Sequence, residues 1–210
     1  MYVITLSAAF GAGGGHVGPA VAERLDVPFI DRAIPAAVAS DLGVPIEDAL
    51  SRDEQVKGWL SRMLSAAAPL SSDYMVGYDP PRMALLPDRE FVTCTQAAIR
   101  KVICAKGGVI LGRAGAIVLR DHPGALHVRL DGDRDRRVRQ AMELLNLSES
   151  QAQEKLDYND GARTAYVRHF YRTDPASCDH YDLVLDSTRL SLEACTELIV
   201  AAAKAAHPVG

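Results

Sequence analysis

No run of about 18 apolar residues occurs anywhere in the 210-residue chain, so a membrane-spanning helix is excluded. Nor is there an excess of positive charge: 23 Lys and Arg against 27 Asp and Glu leave a formal charge of −4. Sequence-independent binding to nucleic acid needs a basic footprint and is not expected. Cysteine is scarce. Cys94, Cys104, Cys178 and Cys195 show no CxxC or other ligand spacing and read as reduced thiols. There is no internal repeat and no heptad pattern. The opening MYVITLSAAF has no basic n-region, so it reads as a buried strand and not as a secretory signal. What is present is ordinary globular material: 48% hydrophobic residues, enough to exclude disorder as the dominant state. The expectation is a cytoplasmic protein folded as one domain.

Short β-type runs alternate with longer helical patterns. Residues 2–6 (YVITL) and 27–30 (VPFI) read as strands, as do 107–112 (GGVILG), 125–130 (ALHVRL) and 181–186 (YDLVLD). Helical patterns cover about 16–25, 90–105, 133–145, 149–171 and 191–206. Strands alternating with helices imply βαβ units, and hence a three-layer α/β fold with a mainly parallel sheet. Residues 33–90 break the alternation. They are helical at first, around Trp59, Leu60 and Leu64, then rich in Pro, Ser and Tyr, including Tyr74 and Tyr78 beside Asp79. This inserted region reads as an acceptor-binding lobe or as a plain helical decoration, and the two tyrosines as base-stacking groups or an ordinary loop.

A glycine-rich tract joins the first strand to the first helix: Gly11, Ala12, Gly13, Gly14, Gly15 and His16. Such a turn cradles phosphate, because glycine lets the backbone approach an anion and the helix N-terminus adds about half a positive charge. The alternative is a flexible turn. The tract departs from the phosphate-loop pattern GxxxxGK[ST]. With Gly13 as the second glycine, Ala8 stands at the first, Gly14 at the lysine and Gly15 at the Ser/Thr that normally meets magnesium.

Phosphoryl transfer asks for positive charge around three phosphates more than for covalent chemistry. Arg163, Arg168 and Arg172 lie along 149–172, which reads as a lid bringing arginines over a triphosphate, or as a solvated face with weak surface pairs. For Arg134, Arg136, Arg137 and Arg139 the solvated face is the better reading, with Arg136 as the exception. Arg113 ends a buried strand, where a charge is costly unless it is paired or meets a ligand. Asp31 and Asp186 end strands as well, and for Asp186 a structural role competes with a nucleotide contact.

Three segments together resemble the cytidylate kinase-like family: VITLSAAFGAGGGHVGPAVAERLDVPFIDRAI, GGVILGRAGAIVLRDHPGALHVRLDGDRDRRVRQAM and HYDLVLDSTRLSLEACTELI. They stand in the family's order, with an Asp-x-x-Arg segment between the last two. The resemblance implies a phosphate-loop kinase with ATP and Mg2+ as cofactors and a small-molecule acceptor. It implies that Arg113 meets the acceptor phosphate, that Asp160 and Arg163 hold acceptor sugar and phosphate, and that Asp31 lies near the acceptor. Several positions depart from the family pattern: Ala114 replaces an Asp, Leu156 an Arg and Arg32 a Ser. The implied activity is transfer of the ATP γ-phosphoryl group to a CMP- or dCMP-like acceptor, with Arg163 and Arg168 as catalytic cations. Two alternatives stay open: a nucleotide-binding protein without turnover, and a kinase with a non-nucleotide acceptor.

Overall fold

In the computed structural model, which describes residues 1–30, 96, 97, 100, 103, 106–112 and 114–206, five strands form one parallel sheet. They are β1 (Val3–Ala8), β2 (Phe29–Ile30), β3 (Gly108–Leu111), β4 (Ala125–Asp131) and β5 (Leu183–Asp186), ordered β2-β3-β1-β4-β5. Helices whose bounds are described are α1 (Gly14–Leu25), α2 (Gly115–Val118), α3 (Arg134–Leu145), α4 (Glu149–Tyr171) and α5 (Leu192–Ala206); residues 96, 97, 100, 103 and 106 are helical as well. The chain divides into a unit of Met1–Asp31 with Arg100–Gly210, and a second unit, Arg32–Ile99, nearly all of which lies outside the described residues. The parallel α/β architecture expected from the alternation is therefore present. Two short elements left no periodic signal: α2, and a 3-10 turn at Cys178–His180.

β1 is central because both its neighbours bond to it in parallel, Val3 opposite Gly108 on one side and Ala125 on the other. Side chains alternate across a strand, so the two faces of this sheet can differ in character. On one face Ile4, Leu6 and Ala8 of β1 join Leu126, Val128 and Leu130 of β4 in a core with Val17 and Val21 of α1 and Ile199 of α5. Each fully buried Ile or Leu there contributes about 1.5–3 kcal/mol. The intervening residues, Thr5, His127 and Arg129, are polar and buried. Thr5 and His127 are register partners, and the Thr5 hydroxyl bonds His127 Nδ1 at 2.8 Å. Gly115 opens α2 above them, where an added Cβ would lie 3.3 Å from the Thr5 Cβ.

Capping explains where the longest helix begins. Ser148 and Gln151 form a reciprocal capping box at the start of α4, and Asp133 accepts the Asp135 and Arg136 amides at the start of α3. α3 and α4 enclose a second small core of Val138, Ala141, Ala152 and Leu156, against which Phe10 packs. Leu156, which stands where the family resemblance leads one to look for an arginine, is thus given over to packing. Cys178 is an exposed free thiol and Cys195 a buried one; Cys94 and Cys104 lie outside the described residues. Among the described residues, no helix is long and apolar enough to cross a membrane.

Burial pushes the His127 imidazole below its ordinary value of 6.5, only partly opposed by Asp182. A group with a depressed folded pKa contributes its stability above the unfolded value and loses it as pH falls through about 6.5 and below. Denaturant unfolding at pH 7.5 and 5.5 should therefore show the protein less stable at the lower pH. His127→Gln should flatten that difference by up to about 1.4 kcal/mol per pH unit.

Candidate functional site

In a parallel sheet every strand points the same way, so the loops after β1, β3, β4 and β5 gather along one edge, where ligands of such folds bind. The loop after β1 runs into α1 through Gly11 and Gly13, with φ of +78° and +74°. Gly11 is fixed by space as well as by backbone: a Cβ there would fall on the Arg137 carbonyl.

The loop's hydrogen bonds are divided unevenly between acceptors and donors. Ala9 O accepts from Ala12 N at 3.0 Å, and Gly13 O accepts from His16 N and Val17 N, both at 3.0 Å. Phe10 O accepts from Arg137 Nη1 (3.1 Å), Gly11 O from Gln140 Nε2 (2.9 Å) and Ala12 O from the Ser187 hydroxyl (2.8 Å). The amides of Gly11, Gly13, Gly14 and Gly15, by contrast, donate to no described residue. With its carbonyls occupied and these N–H groups unused at a helix N-terminus, the loop holds donors of the kind that suit an anion.

Asp160 and Arg137 hold this shape. Asp160 Oδ1 accepts the Phe10 amide at 3.0 Å, and its Oδ2 pairs with Arg137 Nη1 at 2.6 Å. Arg137 also donates from Nε to Gly132 O at 3.0 Å and stands 3.7 Å from Asp131 Oδ1. Both polar groups of the Phe10 peptide are thereby fixed by one ion pair. Arg137 is only 9% exposed, which corrects the sequence reading of the 134–139 run. The polar face expected for it belongs to Arg134, paired with Asp157 at 2.8 Å, whereas Arg137 turns inward. Arg136 is engaged too, with Asp186 at 3.1 Å and the Thr188 hydroxyl at 2.9 Å. Hydrogen bonds from Thr188 hold the Asp186 carboxyl below the usual range, so this side chain serves the turn after β5.

Arg163 is set apart from these arginines. It is half-buried, and among the described residues its guanidinium makes no hydrogen bond or ion pair. Desolvation pulls its pKa down from the arginine norm; Asp160 opposes that pull, and Arg129 and Arg137 add to it. A partly buried cation that no described residue pairs with is costly unless an anion comes to it. Arg129, by comparison, is fully engaged: Asp131 at 2.6 Å, the Pro175 carbonyl at 2.8 Å and the Tyr181 ring at 5.7 Å.

Arg168 is exposed and pairs with Asp174 at 3.3 Å, and His16 is exposed on the first turn of α1. Asp31, Arg113, Tyr74 and Tyr78 lie outside the described residues. Ala114 holds a left-handed conformation at φ 53°, one that Asp, Asn or Gly would tolerate better. Sequence reasoning missed Arg129, Gln140 and Ser187. Only Arg129 left a signal, a full charge inside a mainly apolar strand.

Asp160→Ala should leave Arg137 buried without its partner and the Phe10 amide unsatisfied, at a cost of about 3 kcal/mol in denaturant unfolding. Asp160→Asn, which still offers an acceptor to Phe10, should cost less. Loss of Phe10 amide protection in hydrogen exchange should accompany the Ala change and be smaller in the Asn one.

Known proteins agree with this geometry at the level of the fold. A crystal structure of an uncharacterized protein from Eubacterium ventriosum superposes with a TM-score of 0.68 at 17% identity, covering 97% of this chain and 99% of that one. A shikimate kinase from Bacteroides thetaiotaomicron gives a TM-score of 0.51 at 15% identity over 96% of this chain and 97% of its own. A curated protein from Corynebacterium glutamicum, a uronate isomerase, is 34% identical over 94 residues, 45% of this chain; the match spans only 18% of that protein's length. The cytidylate kinase-like family matches residues 3–189, nearly the whole chain including loop, sheet and the α3–α4 hairpin, and the chain belongs to it.

Proposed function

We propose that this chain is a cytoplasmic phosphotransferase that binds ATP on residues 11–16 and moves its γ-phosphoryl group to a small acceptor, CMP or dCMP in the first instance. The observation that carries the reading is the set of unused amides at Gly11, Gly13, Gly14 and Gly15, in a loop clamped at Phe10 by Asp160 and Arg137, two charges that also act on Arg163. The amides take the phosphate oxygens. An acceptor phosphate oxygen attacks the γ-phosphorus in line, ADP leaves, and Arg163 neutralises the charge that spreads over the transferred group. Arg168 is the second cation. Its exposed pair with Asp174 is weak enough to be exchanged for a phosphate. Arg113 and Asp31 would hold the acceptor, as the resemblance implies. Asp160 in this structure serves the loop, so its contact with the acceptor rests on the resemblance alone.

The donor set fits phosphate better than it fits magnesium. Gly15 brings no hydroxyl, and Asp131 and Asp186 are turned to arginines. No group of three or more His, Cys, Asp or Glu suited to a metal occurs among the described residues. No step is therefore assigned to a metal.

Glycines in place of the lysine and the hydroxyl also favour a second reading, a protein that binds nucleotide without turning it over. A coupled assay of ADP release with ATP and magnesium, across CMP, dCMP, UMP and AMP, separates the two when combined with an ATP titration. Stimulation by a pyrimidine monophosphate is expected. Arg163→Ala should then lower turnover by roughly a hundredfold or more. Binding without turnover would select the second reading, and full activity of Arg163→Ala would remove that residue from the chemistry.

A further inference from the structure

Two departures from the phosphate-loop pattern, Ala8 for the first glycine and Gly14 for the lysine, meet at a single contact. A Cβ built on Gly14 would lie 2.5 Å from the Ala8 Cβ, a separation that packed carbon atoms do not reach. Its next neighbours are the end of the Leu111 side chain at 3.2 Å and the Ala8 Cα at 3.9 Å. The Leu111 methyl can shift by rotation, and the Cα stands at ordinary contact distance. Only the Ala8 methyl blocks a side chain at position 14. Backbone conformation is no obstacle, because Gly14 is the first residue of α1 and lies outside the positive-φ set.

We infer that Ala8 and Gly14 are one coupled exchange: the methyl at residue 8 occupies the space through which a side chain at residue 14 would leave the helix. In the usual loop the arrangement is reversed, with no Cβ at the first position and a lysine stem at the seventh. The lysine of this loop is therefore excluded by a residue six positions earlier, and cannot be reinstated by changing residue 14 alone. Gly15 gives the contrast within the same helical turn. A Cβ there meets nothing within 4 Å, so its small size is not imposed by packing.

A stability cycle tests the exchange without reference to any ligand. Gly14→Ala, Ala8→Gly, the double variant Ala8→Gly/Gly14→Ala, and Gly15→Ala as control are compared by thermal unfolding. Gly14→Ala should lower the midpoint by roughly 3–10 °C even though alanine is the better helix former, while Gly15→Ala should leave it unchanged or raise it. The double variant, which moves one methyl from strand to helix, should be more stable than either single change predicts. Additive losses, or a Gly14→Ala protein as stable as the wild type, would overturn the inference.

The second arm rests on the nucleotide reading. Ala8→Gly/Gly14→Lys should bind ATP about tenfold more tightly than the wild type, whereas Gly14→Lys alone should be unstable. Failure of ATP to bind any of these proteins would count against the nucleotide reading, and leave the packing exchange standing or falling on the stability cycle.

Discussion

The ion pair between Arg137 and Asp160 is the interaction through which the sheet, the helical hairpin and the glycine loop become one object. Either charge alone would be expensive to remove from water. Together they satisfy each other, and each then uses its remaining capacity on the Phe10 peptide, Arg137 on the carbonyl and Asp160 on the amide. The Phe10 ring adds an apolar anchor among Val138, Ala141, Ala152 and Leu156. The loop is thus held at its waist by the hairpin, and its four downstream amides are aimed by that grip. Nothing in the glycines themselves would select this conformation; glycine permits it, and the pair imposes it.

Much of the fold was legible in the sequence, because alternation of short apolar runs with helical periodicity reports burial directly. The bounds of α4 were readable from its helical pattern over 149–171, and the Ser148–Gln151 box seen in the structure fixes its start. α2 was not readable: at four residues it is shorter than the period needed to announce it. The site was legible only in its outline. The glycine tract declares itself by composition, whereas Asp160 and Arg163 were singled out through the family resemblance. The grip on Phe10 could not be read, since its partners lie 127 and 150 residues away and no local pattern encodes such a pairing. Arg137 was misplaced for a related reason. Four arginines on one helix look alike in sequence, and what separates them is which one the Gly132 carbonyl and the Phe10 peptide happen to face.

The polar face of the sheet has its own logic. Thr5, His127 and Arg129 occupy positions where a parallel sheet usually carries aliphatic residues. Each is matched: the threonine to the histidine, the arginine to Asp131 and the Pro175 carbonyl. The result is a region rich in cations that are almost all neutralised locally. Against that background Arg163 stands out, since it shares the environment of Arg129 and Arg137 without sharing their partners. Charge alone would not have singled it out; the difference lies in what each guanidinium touches.

The clamps on the loop also set an order of events in folding. The carbonyls of residues 10–12 are fixed by groups far along the chain, on Arg137, Gln140 and Ser187, the last of them 175 residues from its partner. Closing loops of that length is entropically slow and comes late, after the sheet has brought its strands together. β1 and α1 can therefore form before the loop between them is clamped. Truncated or stalled chains would carry the glycine tract but not its shape. The shape of the glycine loop is thus a property of the assembled sheet and hairpin, and not of the glycine tract itself.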